Sequence, residues 1–163
     1  MEGARAARAD DLAAIAQLAK AARDELAAQR GGPVWRAQLG RPDPVERSFS
    51  NQLGAPAERG SAVVGTIDAT VVGYGISSIE VLGDGSRLAV VSDLYVDPEA
   101  RGVGIGEAMM DLLVDHARSV GARGIDALAL PGDRATKNFF ETFGLKARAI
   151  IVHRALDGDD GDA

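Results

Sequence analysis

The sequence predicts an α/β (α+β) fold, with a mixed, mostly antiparallel central sheet of six to seven strands flanked by about four helices. Three strand patterns follow one another between residues 62 and 96, joined by short turns at Asp68-Ala69 and at Gly83–Ser86. Consecutive hairpins of this kind pair antiparallel. The third strand passes into a glycine-rich loop and a helix, and the next strand is expected to run roughly parallel to it.

The first sixty residues are predicted to hold one short strand and two helices. Residues 3–8 have a strand pattern, and the Asp10-Asp11 pair caps a long helix that should end near Gly31. Apolar residues recur along this helix at helical spacing, which predicts one core-facing side. The pattern is weak over residues 34–58, where a short helix is expected over about residues 45–53.

Helix and strand patterns alternate after the glycine-rich loop. The helix that follows the loop should end at Gly121, and residues 125–130 have the pattern of the next strand. Asp133 caps a shorter helix that Gly144 closes. Residues 146–155 are predicted to form the last strand.

Charge and the lack of repeats predict one folded body followed by a tail. The 163 residues contain neither an internal repeat nor a linker, so we expect a single domain over residues 1–156. Four aspartates after residue 156 supply −4 of the net charge of −6, which leaves −2 for the body. We expect the acidic tail, residues 157–163, to be disordered, and the body's low charge argues against nucleic-acid binding.

The cysteine and histidine content and the lack of long apolar runs limit the expected cellular compartment and the possible chemistry. The chain has no cysteine, which fits a reducing compartment and excludes disulfides, cysteine nucleophiles and thiolate metal sites. His116 and His153 are far apart in sequence, so no metal is expected. The N-terminus lacks the long apolar core of a signal peptide, and no apolar run approaches about 18 residues. We therefore expect a cytoplasmic protein without membrane contact.

The stretch from Ser92 to Glu107, SDLYVDPEARGVGIGE, joins a strand end to a helix start through glycines. Such a junction directs free backbone N–H groups from the positive end of a helix, where an anion such as phosphate binds. A P-loop would end in Gly-Lys-Ser/Thr, and the dinucleotide fingerprint would need glycine in place of Glu107. A tight turn without a ligand is the plainer alternative for a glycine cluster.

The spacing Arg101-x-x-Gly104-x-Gly106 resembles the signature of the GNAT superfamily of N-acetyltransferases. In that signature, Arg or Gln and two further residues precede Gly, one residue, and then Gly or Ala. Residues 94–99 are also typical of the superfamily, and the order of strands and helices after residue 62 matches its fold. The resemblance implies the GNAT fold and an acyl-CoA site.

By this resemblance, the amides from about Val103 to Glu107 hold the pyrophosphate of acetyl-CoA. The backbone near Leu94 and Val96 pairs with the pantetheine arm. Lys137, one turn into the helix after Asp133, is a candidate contact of the phosphates, with an ordinary exposed helix lysine as the commoner alternative. The residues expected at the cofactor are Leu94, Tyr95, Val96, Arg101, Gly102, Val103, Gly104, Ile105, Gly106, Glu107, Asp133, Lys137 and Phe140.

The acid that often serves in the family is missing here. The leaving thiolate is often protonated by a tyrosine four residues before the glycine that closes the last helix. Counted back from Gly144, that position is Phe140, which has no proton to give, and the family's asparagine position is Asp133. Tyr95, near the expected cleft, is the candidate replacement acid.

The base that is common in the family is also missing. It often lies at the positions of Ser92 or Val90, and neither residue is a base. Ser92 is expected to hold a relay water, with Ser77 as its cross-strand neighbour if the preceding turn sets the register. In a regular strand Asp93 and Tyr95 point away from the face of Ser92. A structural hydrogen bond to a neighbouring loop is therefore the expected role of Asp93.

The leading hypothesis is an acetyl-CoA-dependent N-acetyltransferase, an acyltransferase that transfers groups other than amino-acyl groups. The acceptor is a primary amine of a small molecule or a protein, which attacks the thioester directly. Members of the family often dimerise, so the resemblance also implies a homodimer. A non-catalytic acyl-CoA-binding or sensing module on the same fold is the alternative, and a site for another nucleotide or phosphate is a third.

Overall fold

The computed structural model describes residues 1–158, so most of the predicted acidic tail lies outside the described residues. None of the helices in this range has the length and apolarity needed to cross a membrane. Short 3-10 turns cover Ala9–Asp11 and Pro98–Ala100. The elements are β1 (Glu2–Ala6), α1 (Leu12–Ala27), α2 (Gly32–Gln38), α3 (Val45–Leu53), β2 (Gly60–Ile67), β3 (Thr70–Val81), β4 (Arg87–Val96), α4 (Ile105–Ser119), β5 (Ala122–Ala127) and α5 (Arg134–Thr142).

The five strands form one sheet in the order β1-β2-β3-β4-β5. Neighbouring strands are antiparallel from β1 to β4, and β5 is parallel to β4. The predicted hairpins and the helical crossover from β4 to β5 are therefore confirmed. The mixed, mostly antiparallel sheet flanked by helices is the predicted fold class.

The prediction of a last strand over residues 146–155 is wrong for this chain. These residues join no ladder, and residues 146–154 are all exposed. The sequence supplies β-branched residues there, but a strand also needs a partner for its N–H and C=O groups. The sheet of the described residues therefore has five strands, fewer than the expected six to seven.

Other boundaries moved by a few residues. The first helix ends at Ala27, earlier than the expected Gly31, and β5 spans 122–127, earlier than the expected 125–130. A seven-residue helix, α2, was not predicted. Gly31 precedes it with a φ of 81°, and Pro33 occupies its first turn.

The chain forms two compact units. The first contains Met1–Ala22 and Arg41–Leu128, and thus the whole sheet together with α3 and α4. The second contains Arg23–Gly40 and the residues from Ala129 onward, and thus α2 and α5.

Within the first unit, the two faces of the sheet are built differently. Val64 and Tyr74 face a core cluster with Ile15 of α1 and Phe49 of α3. Successive residues alternate between faces, so the neighbouring glycines of β2 and β3 lie on the other face. There a Cβ added to Gly65 would lie 2.3 Å from the Ile105 side chain. This close approach fixes the N-terminal end of α4 against the sheet.

Candidate functional site

A β-bulge interrupts β4 at Ser92. Asp93 pairs with Ile76 of β3, whereas the next pair toward the start of β4 is Val91 with Ser77, so Ser92 is the unpaired extra residue. The parallel pairing of β4 with β5 also ends at Val91, opposite Ala127. Residues 92–96 therefore have β3 on one side and no β5 partner among the described residues.

Backbone groups of Leu94 and Val96 face this open side of β4. The Asp97 N–H donates to the Val72 carbonyl at 2.8 Å, so Asp97 faces β3. Backbone groups alternate in direction along an antiparallel strand, so those of Tyr95 also face β3, and those of Leu94 and Val96 face away. The Val96 carbonyl indeed accepts a hydrogen bond from Arg101 Nε at 2.9 Å.

The loop after β4 is held open by two left-handed glycines. The Asp97 side chain accepts from the Glu99 N–H at 2.9 Å and starts the turn that leads to Arg101. Gly102 and Gly104 have φ values of 85° and 90°, which other residues adopt only with strain. A Cβ added to either glycine would meet no atom within 4 Å. Among residues 1–158, no atom thus occupies the space beside these two glycines.

The N-terminus of α4 points its amides into the loop. Gly104 is the N-cap, and no side chain of residues 1–158 caps this end, so the first-turn N–H groups lack the usual intrahelical and side-chain acceptors there. Ile105, only 1% exposed, anchors the first turn in the core, while Val103 is half exposed, and Gly106 and Glu107 follow within the same turn. This geometry favours an anion at the helix end.

Arg101 and Tyr95 contact each other at the end of β4. The Arg101 guanidinium carbon lies 5.3 Å from the centre of the Tyr95 ring, in addition to its bond to the Val96 carbonyl. The Tyr95 ring packs against the core cluster of the first unit. The structure therefore brings these predicted residues together at the end of β4.

A buried network surrounds Asp93 at the bulge. Its carboxylate accepts from Arg41 Nε at 2.8 Å and from Arg41 Nη2, from the Tyr74 hydroxyl at 3.1 Å, and from the Ser92 hydroxyl at 2.7 Å. The side chains of Arg41 and Asp93 are only 16% and 11% exposed. The Arg41 guanidinium also stacks on the Phe49 ring, 3.9 Å from its centre.

The network also affects the protonation of Tyr74. Burial, and then the neighbouring Asp93 carboxylate, raise the pKa of Tyr74 well above its ordinary value. Tyr74 is therefore a hydrogen-bond donor to Asp93 across the usable pH range. With four donors on its two oxygens, Asp93 is fully engaged, and it has the structural role toward a neighbouring loop that the sequence predicts.

The bulge overturns two details expected of a regular strand. Ser77 pairs with Val91, so the predicted pairing of Ser77 with Ser92 is wrong. The Ser92 hydroxyl bonds Asp93, so these two side chains do not point to opposite faces. Ser77 Oγ is buried without a hydrogen-bond partner among the described residues. Arg41 was not predicted, because it lies 52 residues from Asp93 in a segment with no pattern.

The remaining predicted cofactor residues belong to the second unit. Asp133 caps α5 by accepting from the Thr136 N–H at 3.2 Å, as predicted. Lys137 Nζ lies 3.6 Å from Glu141, and the Phe140 side chain is buried beside Phe139, with ring centres 5.7 Å apart. Their role at a cofactor stays a prediction.

Solved structures of similar fold include several acetyltransferases. The BH1408 protein of Bacillus halodurans has a TM-score of 0.75 at 17% identity, over 94% of this chain and 99% of that one. A ribosomal-protein-alanine N-acetyltransferase of Brucella melitensis has 0.68 at 19% identity, over 95% and 99%. The aminoglycoside N-acetyltransferase AAC(6')-Iy, solved in complex with CoA, has 0.71 at 16% identity, over 96% and 95%.

No protein of curated function matches the sequence significantly. At these identities the structural likenesses establish the fold alone. The model of the acetyltransferase (GNAT) family, however, matches residues 13–145, which is most of the chain and includes β4, the glycine loop and α4. The chain belongs to the acetyltransferase (GNAT) family.

Proposed function

We propose that the protein is an acetyl-CoA-dependent N-acetyltransferase that acts on a primary amine of a small molecule or a protein. One observation carries the proposal: β4 loses its β5 partner at the Ser92 bulge and then runs directly into an uncapped helix N-terminus. An extended ligand that ends in phosphates fits this sequence of features, because a free strand edge pairs with amides and a helix N-terminus binds anions.

The residues of the first unit fit acetyl-CoA. The amides of residues 103–107 would hold the pyrophosphate, in the space that Gly102 and Gly104 leave open. The backbone of Leu94 and the N–H of Val96 face the open side of β4, where the amides of the pantetheine arm would pair. When bound, acetyl-CoA supplies an acetyl group activated as a thioester.

The acceptor amine is expected beside Ser92. Its exposed hydroxyl donates to Asp93, which leaves its lone pairs to accept from an ammonium group or a relay water. Asp93 itself does not act as the base, because its oxygens already accept four hydrogen bonds. Attack by a positioned amine needs little side-chain chemistry, since a general acid or base is worth only about 10²–10⁴-fold. Tyr95 remains the candidate acid.

The fold neighbours support amines as the acceptor class. They include enzymes named for a ribosomal-protein alanine and for aminoglycosides, a protein amine and small-molecule amines respectively. The test is release of free thiol from acetyl-CoA across a panel of both kinds of amine. If the protein binds CoA in calorimetry but releases no thiol with any amine of a wide panel, the proposal is contradicted. Calorimetry with ATP and with NAD tests whether the loop binds a different phosphate ligand.

Two glycines with similar backbone conformations allow a controlled test of the proposed phosphate-binding loop. Gly104 and Gly85 have φ values of 90° and 83°, and an added Cβ meets no atom at either, so alanine costs similar backbone strain at both. Only Gly104 lies at the anion loop. We expect Gly104→Ala to weaken CoA binding about 10–100-fold, the value of one charge-assisted hydrogen bond. Gly85→Ala should bind CoA like wild type, and equal affinity of both variants would contradict the assignment.

A second candidate is a non-catalytic acyl-CoA-binding module. Ser92, at the position of the family's usual base, and the phenylalanine at position 140 favour it, because neither usual proton-transfer group is in place. It predicts CoA binding without thiol release in the whole amine panel. Comparable turnover by the wild type and by Phe140→Tyr would exclude it.

A further inference from the structure

Ser77 of β3 and His116 of α4 each carry a buried polar atom without a hydrogen-bond partner among residues 1–158. The atoms are Oγ of Ser77, a residue that is only 3% exposed, and Nδ1 of the His116 ring. A buried polar group without a partner is unfavourable, and most such groups bond to protein or to an ordered water. If the two atoms lie near each other, one small ligand can therefore serve both.

Helix α4 runs along β3 in the direction of the strand. A Cβ added to Gly73 would lie 3.0 Å from the Met109 side chain, and a Cβ added to Gly75 would lie 3.2 Å from the Leu113 side chain. Two residues along the strand thus correspond to four residues along the helix. Because alternate residues of a strand share a face, the next strand position under α4 is Ser77.

His116 belongs to the same layer as Ser77. It follows Leu113 by three residues, nearly one helical turn, on the side of α4 that packs on the sheet. His116 Nε2 lies 2.7 Å from the Ala57 carbonyl oxygen, just before β2. Ser61 of β2 is paired directly with Ser77, so its hydroxyl lies on the same face of the sheet.

The donor and acceptor roles of Ser77 and His116 are complementary. A carbonyl oxygen only accepts, so the contact with Ala57 places the ring proton of neutral His116 on Nε2. Nδ1 is then an acceptor, and the Ser77 hydroxyl is a donor. The two atoms are not bonded directly to each other. A molecule that accepts one hydrogen bond and donates another fits between them.

We propose that one water molecule is bound between Ser77 and His116, as a fixed part of the contact between α4 and the sheet. The water accepts from the Ser77 hydroxyl and donates to His116 Nδ1, with the Ser61 hydroxyl as its third partner. Internal waters typically make about three hydrogen bonds to groups that are otherwise unsatisfied. Through the His116 ring, the water links β3 and α4 to the Ala57 carbonyl.

Measurements on the wild type test the site without any substitution. At about pH 8.5, where an ordinary imidazole is neutral, nitrogen-15 spectra should show His116 protonated at Nε2 alone. The exposed His153 is the internal control and should show exchange between both tautomers. A high-resolution crystal structure should show one water within hydrogen-bond distance of Ser77 Oγ and His116 Nδ1. A proton on Nδ1, or a direct bond between the two side chains, would overturn the proposal.

Urea unfolding of Ser77→Ala, His116→Phe and the double variant measures the link between the two residues. Either single change removes the bridge, so the effect of both on the unfolding equilibrium constant should fall short of the product of the single effects by about threefold or more. Ser78→Ala, at the next residue of β3 on the opposite face, is the matched control and should combine multiplicatively with His116→Phe. Multiplicative effects for Ser77→Ala as well would contradict the bound water. If His116→Phe does not fold, the wild-type spectra and crystal structure decide the question.

Discussion

Asp93→Ala is expected to destabilise the first unit more than any exposed charge substitution. The change leaves the Arg41 guanidinium, 16% exposed, without its carboxylate and the buried Tyr74 hydroxyl without its acceptor. Breaking a buried ion pair from one side costs about 3–5 kcal/mol, because an uncompensated charge remains. An orphaned buried hydroxyl adds about 1–3 kcal/mol. Partial exposure of the pair places the expected total at about 3–5 kcal/mol.

Urea unfolding measures this loss, provided that the two units are followed separately. Trp35, the only tryptophan, lies in the second unit, whereas the whole sheet lies in the first. Far-ultraviolet circular dichroism should therefore show the loss for Asp93→Ala, and tryptophan fluorescence tells whether the second unit unfolds in the same transition.

Matched variants separate the buried charge from charge in general. Glu46→Ala breaks the exposed pair with Lys20, whose side chains are 44% and 50% exposed, and should unfold like wild type. Arg41→Lys keeps the charge but loses the two-pronged geometry, so it should fall between the wild type and Asp93→Ala. A loss of less than about 1 kcal/mol for Asp93→Ala would refute the view that the network supports the bulge.

Three further predictions concern acid, alkali and packing. Arg5 lowers the pKa of Asp11 through hydrogen bonds of 2.8 and 2.9 Å, so Asp11 stabilises the fold above its ordinary pKa. The stability gap between wild type and Asp11→Asn in urea should therefore shrink as the pH falls below about 4. Because its pKa is raised, the Tyr74 phenol should give no tyrosinate absorbance before alkaline unfolding, so Tyr74→Phe should leave the folded-state titration unchanged. Gly65→Ala should cost about 1–3 kcal/mol in urea and also weaken CoA binding, because its Cβ would displace Ile105 at the start of α4.

The sequence predicts the elements whose signals are local. Hairpin turns, helix caps and the glycine loop each depend on neighbouring residues, and they place β2 to β4, α4 and the cap of α5 correctly. Helix α2 was missed because seven residues are too few for a periodic pattern. The strand over residues 146–155 was predicted but does not form. Its residues have high β propensity, but they pair with no strand of the described residues.

In the candidate site, too, the features that depend on neighbouring residues were predicted and those that depend on distant residues were not. The spacing from Arg101 to Gly106 predicts an open glycine loop before α4, because its geometry depends on two left-handed glycines close together in sequence. The anion that the loop would bind stays a prediction. The bulge at Ser92 leaves no trace in the alternation of β4, so the partner of Ser77 was assigned one residue too far along the strand. Arg41 is set by tertiary packing alone, and only the need of a buried Asp93 for a cation could have suggested that such a residue exists.

The bulge at Ser92 couples the two halves of the proposed reaction. It coincides with the end of the β4–β5 pairing, which opens the strand edge proposed for the cofactor, and it turns Ser92 and Asp93 toward the same side. Through Asp93, the bulge holds Arg41 in the segment before α3. Asp93→Asn keeps one acceptor oxygen but loses the charge that holds Arg41 and orients the Ser92 proton. Because the anion loop lies beyond the network, loss of that charge should reduce use of the amine acceptor while CoA binding stays unchanged.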